Sequence, residues 1–102
     1  MTKVQIISWR DIPVQVRVKN GRFRQSQKLS SRFQQTVYRA AYRDKAIYGD
    51  AYREEWTLSK WQGREGEGGD VLTAVSAELE AAYNDERLDQ LARNKGYEPH
   101  DN

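Results

Sequence analysis

The most constraining stretch of this 102-residue chain is 14–24, where the period-two run Val14-Gln15-Val16-Arg17-Val18-Lys19 meets the dipeptide Asn20-Gly21. Alternation places successive side chains on opposite faces of a strand. Asn-Gly favours a type I′ turn, whose two positive φ angles suit these residues and whose twist matches the flanking strands. The pattern predicts a hairpin with Lys19 opposite Arg22, Val18 opposite Phe23 and Arg17 opposite Arg24. Val14, Val16, Val18 and Phe23 then share the core face, while Gln15, Arg17, Lys19, Arg22 and Arg24 share the other. Like charges facing each other destabilise a sheet by a few tenths to about 1 kcal/mol. A row of cations therefore needs a reason, either an anionic partner or protection of an edge against pairing with other chains. Edge protection suffices for any single residue, whereas a partner better explains the row.

The flanking sequence predicts the remaining elements. Residues 3–9 alternate as a strand with both faces partly covered, and Asp11-Ile12-Pro13 breaks it, because Pro13 has no N–H for a ladder and biases Ile12 toward an extended backbone. Ser31 and Gln34 have capping-box spacing and open a helix through Asp44. Phe33, Val37, Ala40 and Ala41 form its inward stripe, widened by Tyr38 and Tyr42. A turn or short helix covers 49–53, and 55–61 reads as a fourth strand. Residues 63–69, rich in Gly and Glu, read as a flexible linker. Asp70 is the expected N-cap of a helix over 71–83, with Val71, Val75, Leu79 and Ala82 on one side. A last short helix carries Leu88, Leu91 and Ala92 and ends at Gly96. The expectation is an α+β fold with an antiparallel sheet of about four strands in the order β-β-β-α-β-α-α. Its parts are a domain over 1–62, the linker, a helical extension over 70–96, and a disordered tail over 97–102.

Composition narrows the chemistry. The chain has no cysteine and one histidine, His100, near the C-terminus. Disulfides, thiolate metal sites and thiol nucleophiles are excluded, and a histidine general base is disfavoured. Serines at 8, 26, 30, 31, 59 and 76 have no histidine to activate them. The glycines of 63–69 do not make a phosphate loop, since Asp70 stands where a Gly-Lys-Ser/Thr ending is required, and Glu65 and Glu67 would repel phosphate. Adjacent carboxylates such as Glu54-Glu55 and Asp85-Glu86 read as solvated surface and as first-turn helix charge. Arg10 beside Asp11 reads as a structural clasp. No catalytic residues, cofactor or metal are expected. Without a signal-like apolar segment, the expected setting is soluble and cytoplasmic, with no membrane contact.

Charge is strongly segregated. Residues 1–64 hold fourteen Lys and Arg against five acids, and residues 65–102 hold three against ten. A field of one sign attracts polyanions, acidic protein surfaces, or the chain's own acidic tail folding back as a screen. Trp9, Trp61, Tyr42, Tyr48 and Tyr52 are the aromatics not assigned to core faces. Trp9 and Trp61 on the exposed side of adjacent strands would make an amphipathic patch rimmed by arginine, a composition enriched at interfaces. The candidate binding set is Trp9, Arg10, Arg17, Lys19, Arg22, Arg24 and Trp61, shaped by Asp11, Pro13, Asn20 and Gly21. Three functions fit it: docking of an acidic protein partner, nucleic-acid binding, or an accessory role to an enzyme acting on an anionic metabolite. Oligomeric state is left open.

Ile6-Ile7-Ser8-Trp9-Arg10-Asp11-Ile12-Pro13, with Gln15-Val16, Gly21-Arg22, Leu29, Arg32-Phe33-Gln34, Ala40-Ala41, Ala51-Tyr52 and Glu55-Trp56, resembles a small bacterial domain family named "virulence factor", which also occurs as a module in larger virulence proteins. The resemblance covers about residues 3–61, with no counterpart from Gly63 onward. It implies a bacterial setting and a fold, and no catalytic residues, because the family name reports a phenotype.

Overall fold

A computed structural model describes residues 1–46 and 49–99. Tyr48, His100 and the last two positions of the expected tail therefore lie outside the described residues. The elements are β1 (Thr2–Trp9), β2 (Ile12–Asn20), β3 (Phe23–Lys28), α1 (Ser31–Arg43), α2 (Asp50–Glu54), β4 (Trp56–Leu58), β5 (Gln62–Arg64), α3 (Gly68–Ala82) and α4 (Asp85–Arg93). The architecture is α+β, as expected, with an antiparallel sheet in the order β3-β2-β1-β4 and β5 also paired to β1.

The single strand expected over 55–61 is two strands on one edge. β4 lies beside Ile7–Trp9 and β5 beside Thr2–Val4. Ser59 bridges the gap: its N–H donates to the Ile6 carbonyl at 3.0 Å, and its Oγ accepts from the Ile6 N–H at 2.9 Å. A side-chain oxygen thus replaces a ladder acceptor, which lets the chain bulge through Lys60 and Trp61 without orphaning the backbone of β1.

The hairpin is tight, but its register differs from the expected one. Asn20 pairs with Phe23, Lys19 with Arg24, Val18 with Gln25 and Arg17 with Ser26, leaving Gly21 and Arg22 as the two loop residues. Gly21 has φ +62°, and neither Asn20 nor Arg22 has a positive φ, the pattern of a type II′ rather than a type I′ turn. Asn20 stays in the ladder because its side-chain amide donates to Thr2 Oγ1 at 3.2 Å, and that buried hydroxyl donates to the Gly66 carbonyl at 2.7 Å. Because the shift preserves the alternation, Val14, Val16 and Val18 keep the core face, while Phe23, on the same side, remains 43% exposed at its edge.

One hydrophobic core unites the chain. Val4, Val16 and Val18 are buried together with Val71, Leu72 and Val75 of α3, and Phe33, Val37, Ala40 and Ala41 of α1 together with Leu88 and Leu91 of α4. Residues 70–96 are therefore no appendage. Residues 63–69 are not a free linker either, since they contain β5 and the first turn of α3, whose N-cap is Glu67 rather than Asp70. Gly68 is buried, and a Cβ there would come within 2.4 Å of the Phe23 ring. Glycine composition at this point reflects close packing of a helix start on β3.

The capping box at Ser31 and Gln34 does not form. Ser30 precedes α1, and Glu80 of α3 accepts from its N–H at 2.6 Å and from its Oγ at 2.8 Å. Tyr38 and Tyr42 do not widen the buried stripe and are 48% and 64% exposed. The tail is ordered further than expected: Tyr97 lies under the Arg10 guanidinium, and Glu98 pairs with Arg87 at 2.8 Å.

Candidate functional site

The register defines what shares the sheet face away from Val4, Val16 and Val18. Reading across β3, β2 and β1, one row is Arg24, Lys19 and Lys3, the next is Ser26, Arg17 and Gln5, and the third is Lys28, Gln15 and Ile7, continued by Leu58 of β4. Three cations thus stand directly opposite one another across three strands. Sequence reasoning found Arg17, Lys19 and Arg24, whereas Arg22 occupies the turn rather than the row. It missed Lys3 and Lys28, which strand parity could have placed, and Gln5, which no local pattern marks.

Among the described residues, Lys3, Arg17, Lys19, Arg22, Arg24 and Lys28 have no carboxylate within 4 Å. Several cations elsewhere are paired, Arg32 with Glu80 and Asp85, Arg39 with Asp89, Arg64 with Glu78, and Arg87 with Glu98, whereas Arg43, Lys45, Arg53 and Lys60 have no carboxylate within 4 Å among the described residues but do not share one sheet face. These acids of the C-terminal part neutralise α1, β5 and α4. They do not screen the hairpin.

Trp61, carried by the bulge between β4 and β5, is half-buried over this face, with the Lys19 Nζ 4.1 Å and the Arg17 guanidinium 5.8 Å from its ring centre. Contacts of this kind contribute roughly 0.5–1 kcal/mol at exposed sites. Gln5 is buried, donates its amide to the Ser59 carbonyl at 3.0 Å, and accepts from Arg17 Nη1 at 3.4 Å. Ser59, Gln5 and Arg17 form a chain that positions one guanidinium. Arg17, Arg24, Gln25, Ser26 and Trp61 line a cleft of about 190 Å³. Leu58, 60% exposed, extends the face with apolar surface.

Trp9 and Arg10 of the expected binding set are not available to a partner. Trp9 is fully buried, with its Nε1 donating to the Tyr52 carbonyl at 2.9 Å. The Arg10 side chain is only 5% exposed, and it pairs with Asp44 at 2.9 Å and donates to the Lys95 carbonyl at 2.8 Å. Its guanidinium lies 4.5 Å from the Trp9 ring centre and 4.9 Å from that of Tyr97. Arg10 and Asp11 are the two-residue turn between β1 and β2, and Arg10 adopts φ +54°. Asp11 donates its N–H to the Gly96 carbonyl at 2.9 Å, and its carboxylate accepts from the Glu98 N–H at 2.8 Å. The expected Arg10–Asp11 clasp is real in purpose but different in wiring, since each residue grips the turn after α4 rather than the other. Pro13 pairs opposite Ser8 next to a β-bulge, where a residue without an N–H is tolerated. Hydrogen bonding by Arg10 holds the Asp44 carboxyl below its ordinary value, outweighing desolvation.

A groove of about 560 Å³ between α1 and α4 is lined by Tyr38, Arg39, Tyr42, Arg43, Ala92 and Arg93. Arg39 and Arg93 both pair with Asp89, so the groove is partly neutralised. No group of three or more His, Cys, Asp or Glu among the described residues is placed to hold a metal, and no described helix is long and apolar enough to cross a membrane.

Helices on one side, an unneutralised basic face on the other, and a motif committed to internal bonding define a small two-layer α+β domain with one solvent-facing sheet surface. The chain belongs to the family described as "Virulence factor", whose model matches residues 7–92. The match includes Trp9 to Pro13 and continues past Gly63, where the resemblance was expected to stop, through α3 and nearly all of α4. No curated protein and no solved structure matches the chain.

Proposed function

We propose that this domain is a non-enzymatic interaction module of a bacterial cytoplasm that docks an acidic protein partner on the solvent-facing side of its sheet. The observation that carries the reading is the concentration of cations without a carboxylate on one sheet face. Arg32, Arg39, Arg64 and Arg87 each have a carboxylate, while Lys3, Arg17, Lys19, Arg24 and Lys28 share one face without any among the described residues. Folding that leaves Lys3, Lys19 and Arg24 mutually opposed gives up a few tenths to about 1 kcal/mol per pair, which an anionic partner offsets on binding. Trp61 and Leu58 supply the apolar contact that interfaces combine with arginine. Trp9 and Arg10, expected in the binding set, are buried and support the sheet from within.

A charge-reversed Arg17→Glu/Arg24→Glu protein tests the reading against wild type, with bacterial acidic proteins captured at low and high salt. Retention of the same partner by the reversed protein removes the proposal. Nucleic acid is the second reading, and it requires affinity for oligonucleotides that falls steeply with salt. No mobility shift at low salt eliminates it.

A further inference from the structure

We infer that the cleft between Arg17, Arg24, Ser26 and Trp61 is a subsite for one phosphoryl group, carried as phosphoserine or phosphothreonine on the acidic partner. The inference rests on the docking reading and names the group that the face selects.

The geometry supplies the argument. Ser26 is directly opposite Arg17, and Arg24 lies two residues from Ser26 on the same face of β3, diagonal to Arg17. Diagonal neighbours on a sheet have Cβ atoms roughly 7–8 Å apart, within reach of two long side chains converging on one group. A cleft of about 190 Å³ is smaller than the roughly 300–1,000 Å³ of whole-ligand sites, so it accommodates a side-chain headgroup rather than a free metabolite.

Donor count favours phosphoryl over carboxylate. One bidentate arginine saturates the two oxygens and single charge of a carboxylate. A phosphoryl group presents three acceptor oxygens and close to two charges, which match two guanidiniums and a hydroxyl. Arg17 is also held in advance by Gln5, itself anchored on the Ser59 carbonyl, so less side-chain freedom is lost on binding. A nucleic-acid phosphate fits less well, because base stacking needs accessible aromatic faces. Trp61 already has the Lys19 ammonium over its ring, and Trp56 of β4 is half-buried in a T-shaped contact with Tyr52.

The test uses the full chain and a degenerate library of short Asp/Glu-rich peptides with a fixed central serine, phosphorylated or not, with binding read by fluorescence anisotropy. Phosphorylation should strengthen binding about tenfold or more, consistent with added charge-assisted hydrogen bonds. Arg17→Gln and Gln5→Leu should each collapse that ratio while the thermal midpoint identifies any loss of fold, and Arg53→Gln should leave the ratio unchanged. Equal binding of the two libraries overturns the subsite and leaves the docking reading standing. Failure of both libraries to bind at low salt counts against the docking reading itself. A single-stranded oligonucleotide that displaces the phosphorylated library as well as free phosphopeptide does also overturns the assignment.

Discussion

Arg10 and Lys95 are 85 positions apart in sequence, yet a 2.8 Å hydrogen bond joins the guanidinium of the first to the backbone carbonyl of the second. With the bonds of Asp11 to Gly96 and Glu98, it ties the turn between β1 and β2 to the end of α4. The contacts close the fold: the first hairpin holds the last helix, and α4 in turn holds α1.

Arg10→Ala should lower stability by about 2–4 kcal/mol, because it strips a partner from Asp44 and leaves the Lys95 carbonyl unsatisfied. Arg10→Lys should recover only part of the loss, as an ammonium cannot serve Asp44 and Lys95 with the same planar fork. Urea midpoints for the three proteins decide this. Equal midpoints for Ala and wild type would show that the clasp contributes nothing.

Gly96→Ala should be destabilising by about 1–3 kcal/mol on two grounds. Its φ is +92°, and a Cβ would sit 2.9 Å from Cζ3 of the immobile Trp9 ring. Gly69→Ala has open space and no positive φ, so its thermal midpoint should stay near that of wild type.

Acid should weaken the fold through a definable set of carboxylates. Asp44 is lowered by its hydrogen bond with Arg10, and Glu80 is lowered because bonds from Ser30 and Arg32 outweigh its desolvation. A group whose folded value is depressed contributes stability above its unfolded value and loses it as pH falls through the folded one. Stability should therefore be full at neutral pH and decline below about pH 4. Asp44→Asn should be less stable at neutral pH and show a shallower decline in acid, as followed by urea midpoints across that range.

Arg24→Glu should separate function from stability. It places a carboxylate opposite Lys19, converting a like-charge pair into an attractive one worth roughly 0.2–1 kcal/mol. We expect a slightly higher melting midpoint together with weaker partner binding. A lower midpoint would mean that the row of cations is not electrostatically opposed.

Much of the fold was legible because it depends on local alternation. Val14, Val16 and Val18 marked a core face, and Phe33, Val37, Ala40 and Ala41 marked a helix. Misread features depended on partners distant in sequence. The hairpin slid because Asn20 bonds Thr2, and α1 is capped by Glu80 rather than by its own residues. Trp9 was mistaken for a surface anchor because alternation gives a face and cannot say that α2 covers one end of it. For the site, parity alone gave the correct side for Arg17, Lys19 and Arg24. The support from Gln5 and the perch of Trp61 on a bulge could not be read locally.

The central claim is that the unneutralised sheet face is where an acidic partner binds. Its most direct test is a backbone and indole NMR shift map recorded while a Glu-rich peptide is titrated into the full chain at low salt. We expect perturbations at Lys3, Gln5, Arg17, Lys19, Arg24, Ser26 and the Trp61 indole, fading as salt is raised, with the α1–α4 groove unchanged. Shifts confined to Tyr38, Arg43 and Arg93, with the hairpin silent, would contradict it.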